Sequence, residues 1–129
     1  MKRKFAVVFF SVLLISCGDK KKEEAPKEVV NYDLEAKTPV EFGEQIFVGK
    51  GNCVSCHQPY EKVIGPSLQD IAKIYKEQNG DMVNFLKGNG KPIVDPTQYE
   101  VMKTNFAITK LMSDEELRGL EAYIYTFVK

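Results

Sequence analysis

Apolar positions fall into three regimes along the 129-residue chain. From Phe5 to Ser16 they form one short run behind the basic start Met1-Lys2-Arg3-Lys4. From Asp19 to Lys37 they are few. From Thr38 onward they recur at helical spacing. Thr38-Pro39-Val40-Glu41 is a helix start, with Thr as N-cap, Pro at the first position and Glu placed to complete a capping box. Val40, Phe42, Ile46 and Phe47 follow, and Gly49-Lys50-Gly51 ends that helix. A second helix is predicted from Ser67 to about Gln78. Leu68, Ile71, Ala72 and Tyr75 share one face, and Asn79-Gly80 is the stop. A short third helix begins at Asp81, carries Met82, Phe85 and Leu86, and ends near Gly88.

Residues 88–98 hold Gly88, Gly90, Pro92 and Pro96 and read as an irregular loop, and the stretch around Met102 reads as non-helical too. The last helix has the clearest start. Ser113 and Glu116 form a capping box, and Met112 and Leu117 take the positions of a hydrophobic staple. Leu117, Leu120, Ile124 and Phe127 then make an apolar stripe with Tyr123 beside it. No stretch alternates as a strand does, so the expectation is all-α, with about four helices.

The N-terminal regimes read as targeting and tether. The run from Phe5 to Ser16 is too short to span a bilayer and follows a basic n-region, as in an export signal. It closes on Leu14-Ile15-Ser16-Cys17, which resembles the lipobox of bacterial lipoproteins. That resemblance implies cleavage before Cys17 and lipidation of its thiol. Asp19 to Lys37 sets Lys20, Lys21, Lys22, Lys27 and Lys37 against Asp19, Glu23, Glu24, Glu28, Asp33 and Glu35, a composition that cannot bury a core. Residues 18–38 reach about 70 Å at full extension, at ~3.3–3.6 Å per residue. The expected organisation is a signal peptide over 1–16, lipidated Cys17 with a flexible tether over 17–37, and one small domain over 38–129.

That domain carries ten Lys/Arg against twelve Asp/Glu, a formal charge of −2, which argues against nucleic acid as a partner. Its size makes an apolar core alone marginal.

The chemistry is concentrated in Cys53-Val54-Ser55-Cys56-His57. C-x-x-C-H is the attachment signature of a c-type haem. Two thiols at this spacing can each add across one vinyl group of a single porphyrin, and the adjacent imidazole then lies under the iron. A zinc site is excluded because no second Cys or His pair completes it, and His57 is the chain's one histidine. No βαβ pattern supports a thioredoxin-like dithiol. With Cys17 lipidated and Cys53 and Cys56 on haem, no cysteine remains for a disulfide. The sixth iron ligand cannot be histidine, which leaves Met82, Met102 and Met112. Met82 has a core role by default and Met112 has the staple. Met102 is the first choice, with Met112 or an open site as alternatives.

Over residues 39–128 the chain resembles class I (monohaem) cytochromes c. The resemblance rests on Gly43-x-x-x-Phe47 ahead of C-x-x-C-H, Gly65-Pro66 after it, a late methionine, and Leu120-x-x-Tyr123 in the terminal helix. It implies a small all-α fold around one covalent haem c. The first and last helices would cross at Gly43, with Leu120 and Tyr123 packing the crossing. It also implies that the Pro66 carbonyl accepts a hydrogen bond from His57. Met102-Lys103-Thr104-Asn105 resembles the M-x-x-N of bacterial relatives, in which the asparagine steadies the methionine sulfur; Lys-Thr stands here in place of the more usual prolines.

The implied function is one-electron transfer between redox protein partners, without enzymatic activity, at the periplasmic face of a Gram-negative membrane. The rivals are a haem enzyme or gas sensor with an open sixth site, and a dedicated subunit of an oxidase or dehydrogenase complex. No second histidine serves as a base, and Asp114-Glu115-Glu116 reads as a helix start and not as an acid–base pair.

Overall fold

The computed structural model describes residues 38–128; the signal, Cys17 and tether expectations lie outside them. Among the described residues there are six α-helices and no strand: α1 Pro39–Val48, α2 Leu68–Glu77, α3 Met82–Leu86, α4 Tyr99–Lys103, α5 Phe106–Thr109 and α6 Asp114–Tyr125. Two 3-10 turns lie at Cys53–Ser55 and Pro96–Gln98.

The starts follow the side chains that cap them. Thr38 accepts the Glu41 N–H at 3.2 Å, Ser67 the Asp70 N–H at 3.1 Å, and Asp81 the Asn84 N–H at 2.8 Å. At α6 the box is reciprocal: Ser113 accepts the Glu116 N–H at 3.2 Å, and the Glu116 carboxylate accepts the Ser113 N–H at 2.8 Å. At α1 the Glu41 carboxylate accepts the Thr38 hydroxyl instead.

The expected count of about four helices is exceeded by α4 and α5. The stretch holding Met102, expected to be irregular, is helical: Met102 sits within α4. Both helices span a single turn and neither start is closed by a side-chain cap bond; Asn105, at the N-cap of α5, bonds the Gly51 carbonyl instead.

The core gathers where α1, α2, α3 and α6 meet. Ile46, Leu68, Ala72 and Leu117 have no exposed surface, and Phe47, Tyr75, Met82, Leu120 and Ile124 are buried with them. Each fully buried Leu or Ile stabilises by roughly 1.5–3 kcal/mol relative to an exposed one. Met112 and Leu117, the staple pair, are both in this core.

The crossing of α1 on α6 is made by backbone. A Cβ added to Gly43 would fall on the carbonyl oxygen of Gly119 and 3.0 Å from the Leu120 nitrogen; one added to Gly119 would meet Phe42 Cδ1 at 3.1 Å. Gly119 is thus the partner that the resemblance did not name, beside Leu120 and Tyr123. The Tyr123 ring stacks near Phe47 at 5.4 Å between centroids. Lys50 and Glu116 join the two helix ends by a salt bridge of 2.5 Å.

Candidate haem site

The turn that carries the two thiols begins with a reversal of the chain. Gly51 closes α1 by donating its N–H to the Ile46 carbonyl at 2.7 Å. Asn52 follows in the left-handed region at φ 50°, a conformation asparagine tolerates better than most residues. The 3-10 turn then brings the N–H groups of Cys56 and His57 onto the Cys53 carbonyl, at 3.1 and 3.0 Å. Both cysteines are half-buried free thiols. Burial pushes the Cys53 thiol up to about 11, opposed by a backbone hydrogen bond and assisted by the neighbouring Cys56.

His57 is held by the next segment. Its Nδ1 lies 2.8 Å from the Pro66 carbonyl oxygen, so Nδ1–H donates and Nε2 keeps its lone pair. Gly65 makes room for the ring: a Cβ there would stand 2.8 Å from His57 Nδ1 and closer still to Cε1. The Gly65 N–H returns to the Cys56 carbonyl at 2.8 Å, closing the loop behind the motif. Burial lowers the His57 pKa, with the Pro66 bond opposing it, a shift that favours the neutral imidazole.

These groups border one cleft of about 1170 Å³, part of it open to solvent. Cys53, Cys56 and His57 line it together with Met102, and apolar side chains such as Leu68, Ile71, Phe85 and Leu86 make up most of its walls. The three candidate methionines separate here. Met102 lines the cleft and is half-buried; Met82 lines it and is buried in the core; Met112 is buried away from it. Pro66 and Asn105 also reach the cleft.

Asn105 has a partner the sequence does not reveal. Its Nδ2 donates to the Gly51 carbonyl oxygen at 3.1 Å, tying the chain just after Met102 to the turn ahead of Cys53. The Cys53 sulfur lies 3.5 Å from the same oxygen. Asp95, a residue overlooked in the sequence, sits in the cleft wall and bridges to Lys62. No motif marked it. Gly119 did carry a signal, since a glycine inside a helix costs about 1 kcal/mol against alanine and so asks for a packing reason.

Two half-buried thiols on one turn, an imidazole with Nδ1 already engaged, and apolar walls fit a covalently held porphyrin. The comparisons agree. The family model "Cytochrome c" matches residues 40–127. The chain is 45% identical over 42 residues to cytochrome c-552 of Nitrosomonas europaea, and 58% identical over 31 residues to cytochrome c2 of Rubrivivax gelatinosus. Those matches cover 33% and 24% of this chain and only 40% and 36% of the relatives' lengths. Cytochrome c-551 of Pseudomonas denitrificans is 30% identical over 91 residues, which is 65% of this chain and 95% of that protein. The chain therefore belongs to the cytochrome c family, a small all-α fold whose cofactor is one covalently bound c-type haem.

Proposed function

We propose that this protein is a membrane-anchored electron carrier of the bacterial periplasm, with His57 and Met102 as the axial ligands of its haem. One observation carries the ligand reading: His57 and Met102 line the same apolar cleft as the two thiols of C-x-x-C-H, while Met112 does not. Cys53 and Cys56 hold the porphyrin by thioether bonds. When bound, the haem supplies one-electron exchange between ferric and ferrous iron.

The chain's own residues set the terms of that exchange. Pro66 fixes the ring plane of His57 through the Nδ1 bond and raises the donor strength of Nε2. A thioether from Met102 would favour the reduced state relative to a nitrogen ligand and would leave the iron no position for a substrate. The apolar walls offer water few hydrogen-bonding partners. Asn105, through Gly51, keeps the Met102 segment seated against the cysteine turn.

Ile64 and Val101 line the cleft and are about half exposed, so the surface around them is the contact face for redox protein partners. Two features of the sequence support export and anchoring. They are the basic start with its short apolar run, and Leu14-Ile15-Ser16-Cys17 ahead of a charged stretch. No helix among the described residues is long and apolar enough to cross a membrane.

The test is an absorption spectrum of the ferric protein with a redox titration on the same sample. The near-infrared methionine–iron charge-transfer band is expected, with a reversible one-electron wave. Absence of the band, with ready carbon monoxide binding by the folded ferrous protein, points instead to an enzyme or sensor. Replacing Cys53 and Cys56 together by Ala is expected to leave haem extractable by acid solvent. Retention of covalent haem in that variant would refute the attachment sites.

A further inference from the structure

The cleft wall is not built from helices alone. The irregular stretch 59–65 brings Ile64 and Gly65 to it, and the irregular stretch 91–95 brings Pro92, Ile93, Val94 and Asp95. Ile93 and Val94 of the second stretch pack against the core, and Tyr60 of the first packs its ring on Phe127 at 5.9 Å between centroids. In the first stretch, Val63 and Ile64 leave 56% and 51% of their surface exposed. Its backbone bonds curl it on itself and onto the cysteine turn: Val63 N–H to the Gly65 carbonyl at 3.2 Å, and Gly65 N–H to the Cys56 carbonyl at 2.8 Å.

A salt bridge links it to the second stretch. Lys62 Nζ lies 2.6 Å from Asp95 Oδ2, 33 residues away in sequence. The acceptor is fixed in advance. Asp95 Oδ1 takes the Thr97 N–H at 3.2 Å and the Thr97 hydroxyl at 2.5 Å, capping the turn over Pro96–Gln98. That leaves Oδ2 aimed at Lys62. The Asp95 side chain is 14% exposed and that of Lys62 is 54% exposed, so an anchored carboxylate holds a more exposed lysine.

We infer that Lys62 and Asp95 are positioning residues that fasten the 60–64 segment along the edge of the cleft and slow the entry of small ligands to the haem. The inference rests on the cytochrome c reading for the haem in the cleft. It does not depend on which methionine ligates the iron.

The test uses the haem-loaded full chain, with Lys62→Gln to break the bridge and Lys62→Arg to keep it. Two quantities are read: amide hydrogen exchange in peptides covering 59–65 and 91–98, and the rate of imidazole binding to the ferric protein. Measured at about pH 8, free imidazole is neutral and insensitive to the lost lysine charge. Lys62→Gln is expected to speed both by about two- to five-fold, the scale of a partly exposed ion pair, and Lys62→Arg to restore wild-type values. Wild type in 1 M salt should move toward Lys62→Gln. Equal exchange in all three proteins overturns the fastening. Faster exchange with an unchanged imidazole rate overturns its control of entry. A wild type without the methionine band would refute the axial-ligand proposal while the exchange arm still reads the fastening.

Discussion

The side-chain amide of Asn105 and the backbone carbonyl of Gly51 meet at 3.1 Å across 54 residues of sequence. The bond joins the end of α4 to the turn that presents Cys53. A part-buried bond of this kind contributes about 0.5–1.5 kcal/mol. Asn105→Ala is therefore expected to keep methionine ligation and loosen it. Imidazole should displace the sixth ligand at about two- to ten-fold lower concentration, scored by loss of the near-infrared band.

Gly43 and Gly119 allow α1 and α6 to touch backbone to backbone. Gly43→Ala has no room, since its Cβ would fall on a carbonyl oxygen. A loss of about 1–3 kcal/mol, the usual cost of overpacking, is expected in urea unfolding of the haem-loaded protein. Gly119→Ala should cost less, because its Cβ would meet the Phe42 ring at 3.1 Å and the Gly43 nitrogen at 3.3 Å, tight contacts without the overlap that Gly43→Ala makes. Equal losses in the two variants would contradict this account of the crossing.

Met102→Ala and Met112→Ala should separate ligation from packing. Met102 is half-buried in the cleft wall, whereas Met112 is 7% exposed in the core beside Leu117. Met102→Ala is expected to abolish the near-infrared band, lower the reduction potential and open the iron to added ligands. Met112→Ala should keep the band and cost about 2–5 kcal/mol of stability. The reverse pattern would reassign the ligand.

Acid should weaken the joint between α1 and α6. Burial pushes the Glu116 carboxyl up, but the Lys50 ammonium and the Ser113 N–H outweigh it and hold the group below its ordinary value of 4.5. A carboxyl with a lowered folded pKa stabilises the fold above the unfolded value. That contribution disappears as pH falls through the lower folded one. The urea midpoint of wild type should therefore drop more steeply below about pH 4.5 than that of Glu116→Gln. Parallel curves would rule out Glu116 as a source of the acid sensitivity.

Anchoring is testable apart from the haem. A Cys17→Ser precursor is expected to lose acylation, read by metabolic labelling with a fatty acid, with its haem spectrum unchanged. Equal label in mutant and wild type would remove the lipoprotein proposal.

The sequence made the capped elements legible and left the uncapped ones hidden. Thr38, Ser67, Asp81 and Ser113 each mark a helix start with a side chain that hydrogen-bonds locally, so four starts are readable from spacing alone. The single turns α4 and α5 hold no such residue and depend on tertiary partners. Thr109 shows how: buried completely in α5, it donates its hydroxyl to the Leu86 carbonyl at 2.6 Å. The His57–Pro66 pair was available from resemblance because C-x-x-C-H and Gly65-Pro66 stand close together in the chain. Asn105–Gly51 and Lys62–Asp95 join residues far apart in the chain, and their distances in sequence carry no signal.

The loop behind the cysteine turn is closed almost entirely by near neighbours. Gly65 returns to Cys56, Pro66 to His57, Leu68 to Gln58 and Gln69 to Pro59. Closing so short a loop costs little chain entropy, whereas seating Met102 requires α4 to find Gly51 across most of the domain. The half that presents the thiols and the imidazole can thus organise before the half that supplies the thioether. A chain still lacking its last helices would already offer a usable C-x-x-C-H to the attachment machinery. A fragment ending after α2 should accept covalent haem under that order of events, and its failure to do so would show that assembly waits for the whole fold.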